Sequence, residues 1–137
     1  MRDLGTLGGT ASMALSINNR SEVVGGSGRA FLWTEQAGIV DLGTLGGRTS
    51  CANDVSDLGY VVGVSQTGEV DGRGLPVTHA FLRTPDGRML DLGTLGGHHS
   101  SAAAVSEGDA GTLWIAGHSH DATASVRAVL WTVRLGQ

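Results

Sequence analysis

The sequence is poor in most of the residues that announce chemistry. It has a single cysteine, Cys51, so no disulfide can form within the chain, and the compartment's redox state is left open. Two prolines and six aromatic residues stand beside twenty-three glycines. Nine basic residues against thirteen acidic ones, a net charge of −4, leave no basic run or stripe to neutralise a phosphate backbone, so nucleic acid is excluded as a partner. No apolar stretch approaches the roughly 20 residues that span a bilayer, which argues against a membrane partner. Met1-Arg2-Asp3-Leu4-Gly5, read as a native start, has no apolar core of a secretory signal; on that reading the protein is expected in the cytoplasm. No Gly-x-Ser-x-Gly elbow, no phosphate-cradling glycine motif and no Cys and His pair with an orienting third group is present, so no catalytic residue is assigned and no cofactor is expected.

What the sequence does contain is repetition. Asp-Leu-Gly-Thr-Leu-Gly-Gly recurs unchanged at Asp3 to Gly9, Asp41 to Gly47 and Asp91 to Gly97, spaced 38 and 50 residues apart. These intervals suit a supersecondary unit of about 40 to 50 residues. The chain reads as one repeat domain, 1–137, with units 3–40, 41–90 and 91–137. Glycine is unfavourable inside helices by about 1 kcal/mol against alanine, so this glycine content points to short strands joined by turns.

Each unit reads the same way. A Ser–Ala–Ile/Val strand follows the heptad (Ser12, Ala14, Ile17; Ser50, Ala52, Val55; Ser100, Ala102, Val105). A turn comes next, then a second strand at Val23-Val24-Gly25, Val61-Val62-Gly63 and Ile115-Ala116-Gly117, with serines two residues on at Ser27, Ser65 and Ser119. The third strand is an apolar run, Ala30 to Thr34, Ala80 to Thr84 and Ala128 to Thr132. A fourth strand, as in Met89-Leu90-Asp91-Leu92, runs into the next heptad. The expectation is an all-β, propeller-like fold of three blade-sized repeats with about four strands each. Propellers have four to eight blades, so two copies are expected to close a six-bladed ring as a homodimer, the first heptad of one completing the last blade of the other. The alternative is a single-chain β-trefoil or β-prism.

The heptad, the Val-Val-Gly segments and the run His79-Ala80-Phe81-Leu82 together resemble the bacterial HAF repeat family, and the match covers nearly the whole chain. The resemblance implies a propeller-like β architecture and an extracellular location, and carries no established chemistry. The chain departs from the pattern in having three repeats, and in placing Arg29-Ala30-Phe31 and Arg127-Ala128-Val129 where the His-Ala-Phe triplet stands in the second.

Residues common to all repeats are explained by architecture, so Asp3, Asp41 and Asp91 are expected to hold backbone amides in turns. What differs between repeats is the better guide to function. Four of five histidines lie in the third unit, at His98, His99, His118 and His120, where the earlier units have Thr10-Ala11 and Arg48-Thr49 in the places of His98-His99. His118 and His120, at alternate positions of a strand, share a face; with Asp121 as the one nearby acid, no metal site is assigned. The second unit carries an insertion, Gln66 to Thr78, with Glu69, Asp71 and Arg73, and insertions on a rigid scaffold are where specificity resides. The candidate ligand-binding residues are therefore His98, His99, His118, His120, Asp71 and Arg73. The expected function is a non-catalytic binding or scaffold module with a protein or glycan partner. The alternatives are a small-molecule lyase or hydrolase, or a lectin, using the ring axis or these histidines.

Overall fold

A computed structural model describes residues 1–135; Gly136 and Gln137 of the third repeat lie outside the described residues. The described residues are all-β and form eleven strands: β1 Met13–Ile17, β2 Val23–Ser27, β3 Arg29–Thr34, β4 Gly38–Gly43, β5 Ser50–Val55, β6 Val61–Val70, β7 Pro76–Arg83, β8 Met89–Asp91, β9 Gly96–Glu107, β10 Thr112–Asp121 and β11 Val126–Arg134. A 3-10 turn, Asp109–Gly111, precedes β10. No helix among the described residues is long and apolar enough to cross a membrane.

Each repeat forms its own antiparallel meander, in the orders β1-β2-β3-β4, β5-β6-β7-β8 and β9-β10-β11. The third sheet thus has three strands where four were expected, because the fourth strand of the other sheets is supplied by residues leading into the following heptad, and β11 has no such neighbour among the described residues. The sheets stay separate and do not close into a barrel, so the trefoil alternative has no counterpart here.

The sheets stack in sequence. β5 lies across β1, β2 and β3, and β9 lies across β5, β6 and β7. Val24, Ala30, Ala52, Val55, Val61 and Phe81 fill the first interlayer, with Leu42 and Leu45 of the second heptad at its margin. Val62, Ala80, Leu82, Ala102, Leu113 and Ile115 fill the second. Adjacent valines thus serve different layers, Val61 facing the first sheet and Val62 the third, as the two-residue period of a strand requires. Burying such side chains from water is worth about 1.5–3 kcal/mol each. The first strands are also tied together: Asp54 accepts hydrogen bonds from the Ser16 hydroxyl (2.6 Å) on β1 and the Val105 amide (2.9 Å) on β9.

The repeated motifs have identifiable structural roles. Within the heptad, Asp3, Asp41 and Asp91 each accept a hydrogen bond from the glycine amide two residues on (2.9, 2.7 and 2.8 Å), folding the chain into a tight turn. The amides of Leu7, Leu45 and Leu95 donate to Ser27, Ser65 and Ser119, which anchors every heptad to the second strand of its own repeat. The glycine of Val-Val-Gly answers a close approach at a β-bulge. Gly25, Gly63 and Gly117 sit opposite Ala14, Ala52 and Ala102, beside a register shift in the first strand. A Cβ there would fall 1.9, 2.0 and 2.1 Å from the carbonyl oxygens of Met13, Cys51 and Ser101, so no larger residue fits. Cys51 itself is half-buried, and burial pushes its thiol pKa up, which suits an inert packing role.

Candidate functional site

The insertion in the second repeat extends the β6–β7 hairpin. Gln66 pairs with Thr78 and Val70 with Pro76, with a bulge between Gln66 and Val70, and the arm ends in a turn from Asp71 to Leu75. One carboxylate oxygen of Asp71 accepts hydrogen bonds from the Arg73 amide (2.9 Å) and the Leu75 amide (3.1 Å), while the Asp71 carbonyl accepts from Gly74. The β10–β11 hairpin of the third repeat repeats this device. Asp121 holds the amides of Thr123 (2.9 Å) and Ser125 (3.0 Å), and its carbonyl accepts from Ala124.

Between the two turns lies a cleft of about 490 Å³, bordered by Asp71, Arg73, His98, His99, His120 and Asp121, with Gly96 and Gly97 of the third heptad at its side. Five of the six candidate residues meet here. His118 does not: β10 pairs with β11 without a break from Thr112 to His120, so His118 and His120 keep to one face of the strand, but His118 lies two residues, about 7 Å, further from the hairpin turn that borders the cleft. The equivalent groove one repeat earlier has Arg48 and Thr49 in the histidine positions.

His99 is held at both ring nitrogens. Its Nδ1 accepts from the Thr78 amide (3.3 Å) and lies 3.1 Å from the Thr78 hydroxyl; its Nε2 lies 3.2 Å from Asp71 Oδ2. A backbone N–H cannot accept, so this geometry assigns the proton to Nε2, facing the carboxylate. The Asp71 side chain is only 5% exposed. Hydrogen bonds from the Arg73 amide, the His99 ring and the Leu75 amide hold its carboxyl well below the usual range, at about 2. Asp121 is likewise lowered to about 2, by the Thr123 hydroxyl and amide first, then the Ser125 amide and Arg127. Both aspartates are thus committed to the ionised form and to their turns.

The remaining imidazoles line the cleft. The His120 ring packs edge-on to His99 with centroids 5.3 Å apart, and the His98 ring lies 6.4 Å from His99. Arg73 reaches past Asp71 at 3.9 Å and is mostly solvent-exposed. No group of three His, Cys, Asp or Glu side chains among the described residues has the geometry to hold a metal ion. The arrangement offers hydrogen-bond donors and acceptors and flat rings to a small polar molecule. It lacks a histidine oriented by a carboxylate with its second nitrogen free, the arrangement general-base chemistry uses.

Thr78 was not among the candidate residues. Its signal is its place two residues before Ala80 on β7, which directs it to the same side of the strand as a residue of the sheet interface. No protein-family model, no curated protein and no solved structure matches the chain.

Proposed function

We propose that the chain is a non-catalytic binding and scaffold module built from HAF-type repeats. In this reading it forms half of a six-bladed, propeller-like ring that two copies close, and the cleft between the Asp71 and Asp121 turns holds a small polar ligand such as the end of a glycan or an acidic side chain of a partner protein. The observation that carries the ligand site is convergence. The insertion peculiar to the second repeat and the histidines peculiar to the third are distant in sequence, yet Asp71, Arg73, His98, His99 and His120 border one cavity. The repeat supplies a groove at the equivalent place one unit earlier, and what sets this one apart is its lining. The non-catalytic reading is supported by His99, whose two ring nitrogens are both engaged by the protein. The ring reading is supported by the wedge arrangement: β1, β5 and β9 are drawn together through Asp54, whereas β4 and β8 form the far edges of their sheets.

The test is a titration of isotope-labelled protein with a panel of mono- and disaccharides and small dicarboxylates, followed by the amide resonances of Gly97, His98 and Ala122. The reading expects at least one compound to move these signals, and His98→Ala with His120→Ala to abolish the response while His118→Ala leaves it intact. A panel that moves none of them, or a response unchanged in the double variant, overturns the cleft as the ligand site.

A further inference from the structure

The two junctions between sheets are made from one set of bonds, used twice. At the first, the Ala30 amide donates to the Ser50 hydroxyl (2.8 Å), which donates in turn to the Gly43 carbonyl (2.6 Å). At the second, the Ala80 amide donates to Ser100 (2.8 Å), and Ser100 to Gly93 (2.7 Å). The strand entering each heptad pairs in one register, Phe31 opposite Asp41 and Leu32 opposite Val40, then Phe81 opposite Asp91 and Leu82 opposite Leu90. A basic side chain at the head of the third strand meets the heptad aspartate each time: Arg29 with Asp41 at 3.4 Å, His79 with Asp91 at 2.9 Å.

Half of this set is present at each end of the stack, with Arg127 turned to Asp121 at 3.5 Å. On the third sheet, Arg127, Ala128, Val129 and Leu130 occupy the places of Arg29 to Leu32, and β11 pairs only with β10 among the described residues. On the first sheet, the leading heptad already has the junction conformation. Asp3 holds the Gly5 amide at 2.9 Å, Ser12 donates to the Gly5 carbonyl at 2.7 Å, and Leu4 and Leu7 pack on Val23, Phe31 and Trp33. The apolar surfaces match as well. Val55 is 5% exposed in its junction, while its counterpart Ile17 is 64% exposed. Leu82 is 1% exposed, while its counterpart Leu130 is 60% exposed beside a hollow of about 140 Å³ lined by Trp114 and Ala116.

We propose that a second copy of this chain completes the junction in the same register: its Met1–Asp3 adds to β11 as a fourth strand, with its Asp3 opposite Val129 and its Arg2 opposite Leu130. Its Ser12 hydroxyl accepts from the Ala128 amide, its Asp3 meets Arg127, and its Ile17 covers Ala116 and Leu130. This rests on the ring reading above and specifies the contact that reading requires. Adding a strand satisfies the open edge of β11, and a head-to-tail contact of this kind is heterologous, so it closes a ring only if the rotation per sheet allows it.

The experiment is disulfide trapping in a Cys51→Ser background. Arg2→Cys with Leu130→Cys is expected to form a covalent dimer under mild oxidation, whereas Arg2→Cys with Ala128→Cys, two residues out of register on the same face, is not. Trapping at the second pair in place of the first, a dimer that traps at neither, or a link confined within one chain overturns the proposal. A ladder of higher covalent species from the first pair upholds the register and overturns ring closure, which separates the failure of the two readings.

Discussion

The backbone N–H of Ala30 donates to the hydroxyl of Ser50 at 2.8 Å, across the boundary between the first and second sheets. The same hydroxyl donates to Gly43, so one small side chain satisfies an amide of one sheet and a carbonyl of the heptad that joins it to the next. Ser100 does the same for Ala80 and Gly93 and is only 1% exposed.

Ser100→Ala therefore leaves the buried Ala80 amide and the partly buried Gly93 carbonyl without this partner. Each unsatisfied group costs about 1–3 kcal/mol, so urea unfolding is expected to show a loss of at least that size. Ser101→Ala, on the other side of the strand and partly exposed, is expected to change stability by less than about 0.5 kcal/mol.

The Val-Val-Gly glycine is a second sharp test. In Gly63→Ala the new methyl would lie 2.0 Å from the Cys51 carbonyl oxygen, and the bulge must open to admit it. Overpacking of this kind costs about 1–3 kcal/mol or more, read as a fall in denaturation midpoint. Gly72→Ala, with nothing within 4 Å of the added Cβ, is expected to be nearly neutral.

How much of this was legible in the sequence depends on range. The three copies of Asp-Leu-Gly-Thr-Leu-Gly-Gly located the turns, and the shared Ala and Ser positions located the strands, because identical sequence in three places must satisfy identical local bonds. The bulge opposite Gly25, Gly63 and Gly117 was not legible, since periodicity assumes an unbroken strand. The cleft was half legible. The unusual residues could be named, but Asp71 and His99 are 28 residues apart and meet through a hairpin arm whose length and bend only the folded chain shows. Alternation puts His118 on the face of His120, but it does not say how far along the strand the cleft extends, and the cleft stops short of His118.

The turn carboxylates set a pH dependence. Asp71 has a folded pKa of about 2, below its unfolded value of about 3.9. A depressed carboxyl contributes stability that is complete above the unfolded value and is lost as pH falls through the folded one. The stability difference between the wild type and Asp71→Asn should be constant above about pH 5 and shrink between about pH 4 and pH 2. Unfolding midpoints measured across that range check it; a difference that grows toward low pH would contradict the assigned hydrogen bonds.

His99 is expected to be a positioning residue. His99→Ala removes the bridge from Asp71 to Thr78, so the β6–β7 arm should lose protection from amide exchange at Arg73 and Leu75, while the heptad amides of Leu45 and Gly43 keep theirs. Loss of protection spread evenly over the second sheet would show instead that His99 supports the whole fold.

The most direct test of the central claim, that two copies complete one ring, is the absolute mass in solution by light scattering over a range of concentrations. The account predicts a stable species near twice 14.0 kDa. A species of 14.0 kDa that persists at the highest concentration would contradict it.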